Sequence, residues 1–263
     1  MSVAQAPRSL QRLVRIFELV ADHPGGQTLA ALSAEIGAPK SSLLNLLPAL
    51  VASGYLVNQG GRYAAGPRLM ALAGRLTSRI DVIRLARSHL VVLSRELEES
   101  VSLAVLDRSA HVAVHVDAID SPFAINYTVP IGQTRPLHAA VVGKVLLAFQ
   151  NDVYIAHYLR HVPLTARTGR TITSKKVLLS EIADIRSRGY ASTLEESSEG
   201  VSGFAAPIFD RDGALAAALG VGGPTARIQA KASTCIEALT REAAAMSRGL
   251  GSLAPRESKA TGK

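Results

Sequence analysis

Near the amino end, Leu10, Leu13, Val14, Phe17 and Val20 recur three and four positions apart, a spacing that lines one face of a helix. Ser9 stands where a helix N-cap would, and His23-Pro24-Gly25-Gly26 ends the pattern. Thr28 then caps a second helix with Leu29, Leu32 and Ile36 inward, closed by Gly37 as a left-handed cap residue. Pro39 opens a third helix at a first-turn position, where its missing N–H costs nothing. Tyr55-Leu56-Val57, the turn Gln59-Gly60-Gly61 and Arg62-Tyr63-Ala64 read as a β-hairpin. This order predicts a winged helix-turn-helix over residues 1–66, whose last helix enters a DNA major groove.

Pro67 to about Ser100 reads as helix in two pieces, divided near Ser78 to Asp81, with Asp81 placed to cap the second. Residues 67–80 form the expected linker helix, and its apolar row Leu69, Leu72, Leu76 and Ile80 must be covered by the chain or by a partner. Beyond it strands and helices alternate. Strands are predicted at Val101–Leu106, Val112–Val116, Ala124–Val129, Phe204–Phe209 and Leu215–Gly220. Helices are predicted at Leu137–Phe149, Val153–Tyr158, Val177–Arg188 and Ile228–Leu250. Hairpin strands with helices packed on their sheet describe an α+β sensor domain over 81–250. Residues 251–263 are basic and poor in apolar side chains, so a disordered tail is expected.

Composition narrows the partners. Twenty-nine Lys plus Arg against 21 Asp plus Glu give a net charge of +8, which suits a polyanion. No apolar run reaches the ~18 residues of a membrane span. Arg8, Arg12 and Arg15 alternate with apolar residues, unlike a secretory signal. The single cysteine, Cys235, can form neither an internal disulfide nor a Cys-based zinc site, so a reducing cytoplasm is expected.

Three stretches carry a resemblance: TLAALSAEIGAPKSSLLNLLPALVASGYL, PLHAAVVGKVLLAF and GVSGFAAPIFDRDGALAAALGVGGP. In order, spacing and turn glycines the chain resembles an IclR-type (isocitrate lyase regulator family) transcriptional regulator from Ser9 to Gly249. The resemblance implies a GAF/PAS-like effector domain, a homodimer or homotetramer, and operator binding that responds to a small metabolite. Two residues depart from the family pattern: Asn45 replaces a usual Arg, and Pro48 interrupts the reading helix. Asn pairs with adenine where Arg pairs with guanine, so a different operator preference is expected. Pro48 should kink or loosen the helix.

Lys40, Ser41, Ser42 and Asn45 at the start of the third helix are the candidate DNA-reading residues, with Arg62 on the hairpin and Arg12 on the first helix holding the backbone. An ordinary polar helix start and hairpin is the competing account. His157 and His161 stand at i and i+4 but lack the intervening Glu of a zinc-protease motif, so an amphipathic surface is preferred and no metal or cofactor is expected. No nucleophile elbow, phosphate loop or dinucleotide fingerprint appears, so no catalysis is expected. The competing class is a basic structural or DNA-binding module with an unoccupied second domain.

The resemblance places effector contacts at Ala124, Tyr127, Arg135, Val141, Val142, Thr193, Gly203, Gly220 and Gly222. Relatives that bind tiny keto acids tend to carry Asp, Cys and two Ser at the last four. Thr and three glycines here predict a larger, less polar cavity. With Arg135 and helix-start amides as anion donors, an aromatic mono- or dicarboxylate is the expected effector. A small keto or sugar acid is the alternative. Arg135 has a second reading as a surface side chain paired with a carboxylate, and the glycines a second reading as packing positions.

Overall fold

The computed structural model describes residues 7–77 and 81–252, and divides the chain into compact units at 1–79 and 80–263. The first unit runs α1 (Arg8–Asp22), β1 (Gln27–Thr28), α2 (Leu29–Ile36), α3 (Lys40–Leu44), α4 (Leu47–Ala52), β2 (Leu56–Gln59), β3 (Arg62–Ala65) and α5 (Pro67–Thr77). Its strands pair antiparallel in the order β1-β3-β2, completing a winged helix-turn-helix. Thr28 caps α2 through its hydroxyl, which accepts from Ala31 N–H at 3.2 Å, and Gly37 closes it at φ 65°.

Three local expectations change. Helix α1 starts behind Pro7 with no side-chain cap, so Ser9 lies inside the first turn. Its buried face is Ile16, Leu19 and Val20, while Leu10 and Val14 are 53% and 56% exposed. The stripe of apolar residues is wide enough for two faces, and packing against Leu32, Leu43 and Leu56 selects one. The single third helix is two. Pro48 has no N–H to give Leu44, α3 ends at Asn45, and a turn bonds Leu46 N–H to Leu43 O at 2.9 Å before α4 begins.

The second unit opens with α6 (Asp81–Leu97), followed by β4 (Ser100–Asp107), β5 (Val112–Ile119), β6 (Thr134–Pro136), α7 (Val141–Ala148), α8 (Asp152–His161), α9 (Lys175–Arg188), β7 (Ala191–Leu194), β8 (Val201–Phe209), β9 (Leu215–Pro224), α10 (Thr225–Ala230) and α11 (Ala232–Gly249). All neighbours in the sheet β6-β5-β4-β9-β8-β7 are antiparallel. Strand alternation sends Val101, Leu103, Phe204, Ala206 and Leu219 to one face, under α6 and α11. Ala104, Ala205 and Ala218 go to the other face, under α7, α8 and α9.

The strand expected at Ala124–Val129 is a loop. Asn126 donates its side-chain N–H to Ser121 O (3.1 Å) and Asp120 accepts from Val129 N–H (3.3 Å), local bonds that compete with a ladder. The edge strand is β6 instead. The helix expected from Leu137 begins only at Val141, after a turn closed by Ala140 N–H to Pro136 O. The last helix breaks at Lys231, whose ammonium reaches Leu97 O and Glu99. Along the linker, Leu69 and Leu72 are half-buried, and Leu69 packs on the first unit's core. The side chains of Leu76 and Asp81, residue Ile80 and the tail from residue 253 lie outside the described residues.

Candidate functional site

In the first unit Leu43 and Leu47 point inward, so the opposite face of α3 is outward. Lys40, Ser41 and Asn45 are exposed there, Ser42 is half-buried, and Asn45 forms the C-cap of α3. Leu44, 49% exposed, stands beside Ser41 at i+3 and was missed by reading the helix for polar groups alone. An apolar side chain there can meet a thymine methyl group. Arg62 donates to Gly26 O at 3.2 Å, tying the wing to the turn after α1, and Arg12 is half-buried on α1.

In the second unit the pairings Ser100↔Gly222, Ser102↔Gly220, Gly203↔Gly222 and Thr193↔Gly203 set a row of small residues across the sheet face beneath the start of α7. That row leaves a cavity. Of the nine positions expected from sequence, Tyr127, Arg135, Val141, Val142, Thr193, Gly203, Gly220 and Gly222 line it together. Ala124 is not in the lining; it is exposed on the loop that replaced its strand. Ser100, Ser102, His115, Ser197 and Ser202 also line it. Ser100, Ser102 and His115 escaped notice because only the strand register brings them to this face; Ser197 reaches the cavity from the loop after β7, and Ser202 turns its hydroxyl away to Thr225.

The cavity is small, about 50 Å³, against roughly 150 Å³ for an apolar cavity that takes a benzene ring. A Cβ at Gly220 would lie 2.6 Å from Val142 Cγ1, and one at Gly222 would lie 3.3 Å from Tyr127 Cδ1. Val142 and Tyr127 thus fill the space that glycine vacates. The cavity is therefore smaller than the glycines alone suggest, and its wall is mainly apolar with Ser102, His115 and Arg135 as polar groups. At Gly203 a Cβ would meet Val221 O at 2.5 Å, which makes this glycine a packing position.

The electrostatics favour an anion. Arg135 on β6 donates to the Tyr127 hydroxyl through Nε (3.3 Å) and Nη2 (3.1 Å), with no carboxylate among its partners. The first-turn amides of α7, uncovered by any side-chain cap, begin at Val141 on the cavity wall. No Asp or Glu belongs to the described lining. Beside the wall, Lys144 is 1% exposed and donates to Glu196 Oε1 at 2.6 Å, with Glu181 at 3.7 Å. Burial raises the Glu196 carboxyl above the usual carboxylate range, against the pull of Lys144.

A family model described as Bacterial transcriptional regulator IclR C-terminal matches residues 74–248, and one described as IclR helix-turn-helix domain matches residues 9–60. The chain belongs to the IclR family. It is a DNA-binding transcriptional regulator with a ligand-responsive second domain. The HTH-type transcriptional regulator KdgR of Escherichia coli is 33% identical over 76% of either chain. The glycerol operon regulatory protein of Streptomyces griseus is 33% identical over 95% of this chain and 98% of its own. The fold also matches, at TM-score 0.80 and 23% identity over 92% of this chain and 98% of the other, an IclR homolog from Microbacterium hydrocarbonoxydans complexed with 4-hydroxybenzoate.

The remaining expectations concern this regulator's surface. The imidazoles of His157 and His161 lie 4.2 Å apart centre to centre, and His161 Nδ1 bonds His157 O. Among the described residues no group of three or more His, Cys, Asp or Glu is arranged to hold a metal. Among them no helix is long and apolar enough to cross a membrane.

Proposed function

We propose that this IclR-family regulator senses an organic acid, with the carboxylate held between Arg135 and the first-turn amides of α7. The observation that carries this reading is a lining with an arginine, open helix-start amides and no acidic side chain. The cavity as it stands suits a small keto acid of a few heavy atoms, and a sugar acid would need it to widen. An aromatic mono- or dicarboxylate needs Tyr127 to swing outward on its loop, and the fold relative that is complexed with 4-hydroxybenzoate favours keeping this second reading.

On the DNA side, Lys40, Ser41, Ser42 and Asn45 meet the major groove while Arg12 and Arg62 hold phosphates. Leu69 is packed on the first unit's own core, and the half-buried Leu72 beside it is covered further in a homodimer or homotetramer that binds a roughly palindromic operator. The test is a thermal-shift panel of pyruvate, glyoxylate, a sugar acid, 4-hydroxybenzoate and phthalate on the full chain, followed by sequencing of the DNA it retains with each. A ligand that binds only the folded state raises its stability. A shift with none of the acids at millimolar concentration overturns the acid reading.

A further inference from the structure

Two groups of the described cavity wall hold a buried polar atom that no protein group satisfies, the Ser197 hydroxyl and the His115 imidazole, and of the two only the imidazole belongs to a fully buried residue. His115 is 4% exposed, and no protein group hydrogen-bonds its Nδ1. Leaving a buried polar nitrogen unpaired is costly, so such a group in a ligand cavity points to a partner that arrives from outside. Its orientation comes from β5. Pairing runs His115↔Ala104 and then Asp117↔Leu103, so Val116 is an extra residue in a β-bulge. His115 is thereby aimed at the cavity face, while Asp117 goes to the other face and receives Arg87 at 2.8 Å.

We propose that His115 is a ligand-contacting residue of this cavity, which grips the anionic end of the effector together with Arg135 and takes up a proton as it does so. The inference rests on the organic-acid reading above and adds a residue and a proton to it. Burial, followed by the charge of Arg135, holds the empty-site imidazole down at about 4, so it is neutral near pH 7. An entering carboxylate offsets Arg135 and offers His115 a charge-assisted partner, so the imidazole takes a proton from solvent. Affinity therefore rises as pH falls toward the empty-site value.

The groups around His115 leave this assignment clear. On β6 the facing charge is Arg135, and β4 presents Ser102 and Ala104. On α7 the titratable group is Lys144, already bound to Glu196. The nearby His138 has both nitrogens partnered, by the Tyr158 hydroxyl and Thr165 O, and has no call on a ligand. From α6, Arg87 is bound to Asp117 on the opposite face.

The experiment is calorimetry on the full chain with pyruvate, glyoxylate, 4-hydroxybenzoate and phthalate, each in PIPES and in imidazole buffer, with the pH range extended to 6 and 8 in Bis-Tris propane. Two buffers of different ionisation heat count the protons taken up. The expected result is net uptake with whichever acid binds, an affinity gain of about threefold or more from pH 8 to 6, and a flat profile in His115→Gln. Because uptake is read on the wild-type chain, the result does not depend on the variant folding. Proton uptake with pyruvate or glyoxylate alone keeps the proposal and ends the aromatic reading. Binding without uptake, with His115→Gln unchanged, overturns the proposal and leaves the acid reading intact. No binding by any of the four overturns both.

Discussion

The Tyr127 hydroxyl accepts two hydrogen bonds from the Arg135 guanidinium, at 3.3 and 3.1 Å, and so holds the one arginine of the cavity wall in place. A guanidinium fixed by a neutral acceptor keeps its full charge for a ligand, which a carboxylate partner would have neutralised. Tyr127→Phe should weaken acid binding about 2–10-fold, the equivalent of one or two ordinary hydrogen bonds, measured by calorimetry. Arg135→Ala should cost more, and more for a dicarboxylate than for its monoacid analogue. Equal losses for both would show that Arg135 does not grip a second carboxylate.

Gly220 is held to glycine by Val142 Cγ1, 2.6 Å from where a Cβ would sit. Gly220→Ser should lower stability by about 1–3 kcal/mol through overpacking and abolish effector binding. Adding Val142→Ala should recover most of the melting temperature. A Gly220→Ser chain as stable as the wild type would mean that α7 yields freely.

The buried ion pair beside the wall gives a pH prediction. Lys144→Met should cost about 3–5 kcal/mol at pH 7, because Glu196 is left buried and charged. Burial already raises the Glu196 carboxyl, so protonation favours the folded state, and the deficit should shrink as pH falls from 7 toward 5. Denaturant melts across that range, with Lys144→Met/Glu196→Gln as the restored control, test it. A deficit that grows with acidification contradicts the account.

On DNA, Asn45→Ala should cost about 1–3 kcal/mol on the preferred operator and relax its sequence preference. Arg62→Ala should weaken all sequences alike and lower the salt slope by about one ion. Arg62 also bonds Gly26 O, so its melting temperature must be checked alongside. An unchanged operator preference in Asn45→Ala would remove it from the reading residues.

Signals that act within a few residues were legible in the chain. Thr28 and Gly37 bounded α2, and Pro48 announced the break in the third helix, because caps and proline act locally. The inward face of α1 was not legible, since Leu10 and Val14 satisfy helical spacing as well as Ile16 and Leu19 do. Among the cavity residues, family resemblance supplied Tyr127, Arg135 and the glycines. Ser102 and His115 were invisible because their direction depends on pairing with Gly220 and Ala104, more than ten residues away in each case. The vacated volume was misjudged for a related reason: what fills the space over Gly220 is Val142, on a helix that the sequence does not dock.

The extra residue at Val116 sorts charge between the two sides of the sheet. In a regular strand His115 and Asp117, two positions apart, would share a face, and Asp117 would stand opposite Ser102 inside the cavity. A carboxylate there would repel any acid and would claim Arg135 for itself. One surplus peptide unit sends that negative charge to the other side, where Arg87 receives it. The absence of a carboxylate from this face, on which the organic-acid proposal rests, is thus written in the backbone as much as in the side chains.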